Sequence, residues 1–151
     1  MAKKSIFPLV ALLTAIFIAG CGEVEDTRPG QPVKTRQTAF KEIIKTFEPM
    51  GVMLRQDRYD ADKFLSMAND LIARRDAPWT HFGPDTNYPP TKATALLWQE
   101  TERFERERVA FFAATDALLA AAQKKEKSAV DTAYKAVYET CQNCHKPFKA
   151  R

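Results

Sequence analysis

Cys141, Cys144 and His145, spaced Cys-Gln-Asn-Cys-His, carry the most specific chemistry in this sequence. On a helix, positions i, i+3 and i+4 share a face. Two thiols can then add across two vinyl groups while the neighbouring imidazole points at a metal. CxxCH is the attachment signature of c-type haem, so the spacing predicts one covalent haem c on Cys141 and Cys144, with His145 as axial iron ligand. Zinc fits less well. It needs four ligands, commonly two Cys pairs or a Cys pair with a His pair, and this chain adds only Cys21 and His81. A thioredoxin-type CxxC needs a βαβ context, which is absent. No paired carboxylates, nucleophile–base pair or distal acid suggests an enzyme.

The start of the chain says where that chemistry would take place. Lys3 and Lys4 precede an apolar run from Ile6 to Ala19, too short to cross a bilayer as a stable helix and typical of a secretory signal. It ends in Ile18-Ala19-Gly20-Cys21, similar to the bacterial lipobox. Residues 1–20 are therefore read as a lipoprotein signal peptide and Cys21 as the lipidated residue, a stable anchor when several acyl chains are attached. Gly22 follows in place of the aspartate that retains lipoproteins at the inner membrane, which favours the outer one. Residues 21–34 hold charges, Pro29, Gly30 and Pro32 with few apolar side chains, a composition expected of a flexible tether. Covalent haem of this type is assembled outside the cytoplasm, in agreement with an exported, periplasmic protein.

Of 151 residues, 45% are hydrophobic and 28% charged, enough for one compact domain. Removal of Lys3 and Lys4 takes the formal charge from +4 to +2, too mild and too evenly spread for nucleic-acid binding. Only five glycines and long periodic runs argue against a sandwich, a barrel or a Gly-rich nucleotide site. Residues 35–151 contain four such runs. Thr35–Leu54 places Phe40, Ile43, Ile44, Phe47, Met50 and Leu54 on one face. Asp60–Arg75 does so with Phe64, Leu65, Ala68 and Leu71, Asp60 being placed to cap it. Thr91–Ala122 carries a stripe through Leu97, Trp98, Phe104, Phe111 and Leu118. The fourth runs from Ser128, with Asp131 completing a capping pattern, through Val137, Tyr138 and the CxxCH, whose three residues fall on the core-facing stripe. Short links join the first pair and the last pair, and a Pro-rich loop, Ala77 to Pro90, joins the two pairs. The expected architecture is all-α: an antiparallel up-down-up-down four-helix bundle with the haem inside.

Residues 35–151 resemble the cytochrome c′ family, itself a known example of that bundle. The resemblance rests on Arg36-Gln37 with Phe40, Ala77-Pro78-Trp79, Phe82-Gly83-Pro84, Trp98 and the terminal CQNCHKPFK. It implies that Arg36 and Gln37 lie against the haem edge and propionates, and that Phe40 covers the distal face of the iron. It places Lys149 near the proximal pocket, although a lysine there also complements the helix dipole. Trp79 and Phe82 either pack on the haem edge or plug the bundle core. Thr91 or Lys92 occupies the region of a further haem contact, where Asn87-Tyr-Pro-Pro90 departs from the family's Gly-rich stretch.

The sixth coordination position decides function. Met50 is about 15 Å along the first helix from Phe40 at 1.5 Å per residue, too far to reach an iron beneath that ring. Met67 reads as core filler and His81 as a loop residue. The expected state is five-coordinate and high-spin beneath an apolar wall. Oxygen needs a hydrogen-bond donor more than nitric oxide or carbon monoxide does, so the resemblance implies a gas-binding protein that sequesters or buffers NO. If NO attacks from the proximal side, it would displace His145 beside Lys149. The alternative is a one-electron carrier serving a redox partner protein. The family also implies a homodimer through helices one and two, with Val52 and Met53 as exposed candidates.

Overall fold

The computed structural model describes residues 24–150, so the expected signal segment and the lipidation of Cys21 lie outside the described residues. The helices are α1 (Pro32–Arg55), α2 (Ala61–Arg74), a short α3 (Leu96–Gln99), α4 (Thr101–Lys124) and α5 (Lys127–Phe148). The four long ones form the antiparallel bundle, α4 packing on both α2 and α5 while α1 packs on α2. Its core is one apolar cluster that includes Ile43, Met50, Phe64, Leu71, Phe111, Leu118, Val130 and Val137.

The flexible composition expected to run to residue 34 gives way earlier to ordered structure. Helix α1 begins at Pro32, where a missing N–H costs nothing, and Val33 is fully buried. Asp26, only 1% exposed, accepts the Val33 and Lys34 N–H groups on Oδ2 at 2.9 and 3.1 Å. These are orphan donors of the first helical turn, and no side chain at Gln31 serves them. The chain turns back through Gly30 at φ 73° and Gln31 at φ 41°, a left-handed pair that Gly30 makes easy. The Tyr88 hydroxyl closes the clasp on Asp26 Oδ1 at 2.8 Å.

Helix α2 is capped by Asp60, which accepts from the Asp62 and Lys63 N–H groups, as its sequence predicts. The third helix does not begin near Thr91. Residues 91–95 run irregularly because their polar groups bond the end of α5: Thr94 N–H donates to Phe148 O at 3.0 Å and Ala150 N–H to Lys92 O at 2.7 Å. Helix α4 starts only after a break at Glu100. Ser128 is not a cap, since α5 starts at Lys127 after Glu126, and Asp131 instead pairs with Lys135 at 2.5 Å. Ile44 and Tyr138, assigned to apolar stripes, are exposed. Met53, proposed for a dimer surface, is buried, whereas Val52 does reach the surface.

Candidate functional site

The last turns of α5 bring the CxxCH residues to the end of the bundle where α1 begins and the 75–95 segment crosses. Cys141 packs against the core, and both thiols are half-buried and free of disulfide. Burial pushes the Cys141 thiol up and the Cys144 thiol up to about 12, Glu107 adding to the latter, so both are neutral thiols near pH 7. His145 departs from the predicted stripe: it is exposed. It stands close to the C-terminal end of α5, three residues before Phe148. There it lines an open groove of about 500 Å³ with Gln142, Lys146, Lys149 and Ala150. Partial desolvation of the ring and then the charge of Lys149 hold its imidazole pKa below the ordinary value, favouring the neutral form that ligates metals.

Arg36 and Gln37 turn their polar groups to the loop. Arg36, 3% exposed, donates from one terminal nitrogen to His81 O at 2.8 Å and from the other to Thr86 O at 2.9 Å and Thr91 Oγ1 at 2.6 Å. Its guanidinium also lies over the Phe82 ring at 4.7 Å. Gln37 Nε2 donates to Pro90 O at 3.0 Å. The propionate pairing expected of Arg36 therefore meets a side chain already engaged, and burial without a carboxylate contact lowers its pKa. Thr91 joins Arg36 as a fastening of the loop. Lys92 is exposed and enters only through its backbone, and Lys149 lines the groove beside His145.

Phe40 faces the same loop. Trp79 meets its ring edge-on at 5.4 Å and 86°, and Phe82 lies at 6.3 Å. Phe82 contacts Phe104 at 5.0 Å, and Phe104 contacts Phe148 at 5.5 Å, three residues beyond His145. Trp79 thus plugs the bundle, with Phe111 and Phe112 also around it. Both nearby indole donors are spent on carbonyls, Trp79 Nε1 on Arg75 O at 2.6 Å and Trp98 Nε1 on Gly83 O at 2.9 Å. The thioethers are elsewhere: Met50 is in the core, and Met53 Sδ, in the last turns of α1, accepts from Asp60 N at 3.4 Å. Met67 packs against the core. His81 is a half-buried loop residue whose carbonyl serves Arg36. Phe104 and the Asp26–Tyr88 clasp were not read from the sequence as parts of this end.

A family model described as Cytochrome C′ matches residues 31–149. The chain belongs to the cytochrome c′ family. Cytochrome c′ of Halomonas halodenitrificans is 34% identical over 130 residues, covering 81% of this chain and 98% of the relative. That of Cereibacter sphaeroides is 30% identical over 156 residues, covering 100% and 99%. Among solved structures, cytochrome c prime from Shewanella frigidimarina superposes with a TM-score of 0.78 at 28% identity, covering 83% of this chain and 98% of that one. A nitric oxide complex of a leucine-to-isoleucine variant from Alcaligenes xylosoxidans gives 0.77 at 26% identity, covering 84% and 100%. As a member of the cytochrome c′ family the chain carries covalently attached haem c. Two free thiols one turn apart with an adjacent exposed imidazole fit that group. Among the described residues no three His, Cys, Asp or Glu side chains gather into a cluster that could hold a metal by themselves.

Proposed function

We propose that this cytochrome c′ holds its haem through Cys141 and Cys144, uses His145 as the one axial ligand from the protein, and binds a diatomic gas at a place covered by Phe40. When bound, the haem iron would supply the coordination position; the chain decides what enters it. The observation that carries this reading is the surroundings of Phe40: rings on the loop side, indole donors committed to Arg75 O and Gly83 O, and Met53 engaged with Asp60. An apolar wall without a donor disfavours O₂, which gains negative charge on binding, relative to NO and CO. The nitric oxide complex of the Alcaligenes relative supports the same ligand class. The protein sequesters or buffers NO rather than turning over a substrate. Cys21 carries the lipid that keeps it in the periplasm at the outer membrane. The groove that holds His145 beside Lys149 would offer a gas a second approach, on the side of the imidazole.

The test is the spectrum of the ferrous, haem-loaded protein under CO, NO and O₂. A broad high-spin Soret band that changes with CO and NO but not with O₂ is the expected result. A sharp low-spin α band, unmoved by CO, would identify a one-electron carrier instead, for which the exposed rim of His145, Lys146 and Lys149 is a suitable contact for a redox partner.

A further inference from the structure

A helical phenylalanine has two common χ1 wells, near 180° and −60°, so a half-buried ring such as Phe40 stays in place only if its neighbours hold it. Two neighbours that do so, Trp79 and Phe82, come from the crossing segment rather than from a long helix of the bundle. Each is anchored by a polar contact of its own. The Trp79 indole N–H is tied to Arg75 O. Phe82 lies under the Arg36 guanidinium, whose N–H groups bond His81 O and Thr86 O on either side of it in sequence.

We propose that Phe82 and Trp79 determine gas entry in this protein: they lock the Phe40 ring, and a gas reaches the covered position only when these loop rings yield. The inference rests on the reading that Phe40 covers that position. Ring pairs at these separations and angles are favourable edge-to-face contacts, so removing one lowers the barrier to swinging Phe40 aside. Arg36 acts through Phe82, as a positioning residue.

The experiment is CO rebinding after flash photolysis of the ferrous haem-loaded protein, with unfolding midpoints measured alongside. Phe40→Ala is expected to accelerate rebinding by more than about tenfold, the equivalent of about 1.4 kcal/mol of barrier. Phe82→Leu, which keeps apolar volume but loses the ring edge, is expected to accelerate it about fivefold, roughly 1 kcal/mol. Phe64→Leu serves as the control. Phe64 is fully buried in the core and pairs with the Tyr59 ring but forms no ring pair with Phe40, Trp79 or Phe82 among the described residues, so it should lower the midpoint comparably and leave the rate within about twofold. A fast Phe40→Ala with an unchanged Phe82→Leu overturns the lock alone. Equal acceleration by Phe64→Leu also overturns it, since general loosening then explains the rate. An unchanged Phe40→Ala overturns the underlying reading. Should Phe82→Leu fail to load haem, Trp79→Phe, which removes the tie to Arg75 O, puts the same question with the same expected acceleration.

Discussion

Asp26 shows how much a single side chain can owe to residues far away in sequence. Its carboxylate receives three backbone N–H groups and the Tyr88 hydroxyl. Burial alone would raise its pKa, but these four hydrogen bonds outweigh it and hold the group below the ordinary carboxylate range. A depressed folded-state pKa contributes stability that is present above the unfolded value, near 4, and lost as pH falls through the folded one. Asp26→Ala is therefore expected to lower the thermal midpoint by several degrees at pH 7, the difference from the parent shrinking as pH falls below about 4; midpoints measured across that range check it. Arg36 is similar in kind. Lysine cannot span three acceptors with a planar fork, so Arg36→Lys should cost about 2 kcal/mol and expose residues 82–91 to limited proteolysis. Neither role is visible in sequence: the partners of Asp26 and Arg36 lie up to 62 and 55 positions away. Cys141, Cys144 and His145 are legible because their spacing is itself the signal.

Helix propensity and packing give opposite signs at Gly51, within α1. Propensity predicts that Gly51→Ala stabilises an exposed helix by about 1 kcal/mol. In the bundle the added Cβ would fall on Tyr134 Oη and within 2.6 Å of its Cζ, where the Tyr134 ring stacks on Phe47 at 4.3 Å. Overpacking of that kind costs about 1–3 kcal/mol, so chemical denaturation should show Gly51→Ala to be the less stable protein. The strap between residues 91–95 and α5 makes a second element-scale prediction. Thr94 Oγ1 donates to Pro147 O at 2.9 Å, and Thr94→Val should cost about 1 kcal/mol and raise amide exchange in the last turn of α5. The strap also explains the misplaced start of the third helix. Apolar period continues back to Thr91, but the backbone groups there are claimed by Phe148 and Ala150, through Thr94 N–H and Lys92 O. The α2 cap at Asp60 was legible since its donors are two and three residues away.

The whole molecule followed from periodicity more securely than its ends did. Four long apolar stripes joined by short links at 55–61 and 124–127 leave an antiparallel bundle as the economical way to bury them, and α1, α2, α4 and α5 form it. The same topology separates the functional parts. Helix α1 carries Phe40 towards the loop end and Met53 towards the α1–α2 turn, where Lys125 pairs with Asp62 and Lys127 with Asp57. His145 lies at the first of these ends, tied by the strap to residues 91–95. A methionine ligand would therefore require α1 to slide along its axis by several turns, through a close-packed core. The coordination number of the iron reports directly on this arrangement. Optical and resonance Raman spectra of the ferric and ferrous haem-loaded protein are expected to show five-coordinate, high-spin iron bound by one imidazole. A six-coordinate, low-spin spectrum with a thioether or second imidazole on the metal would contradict it.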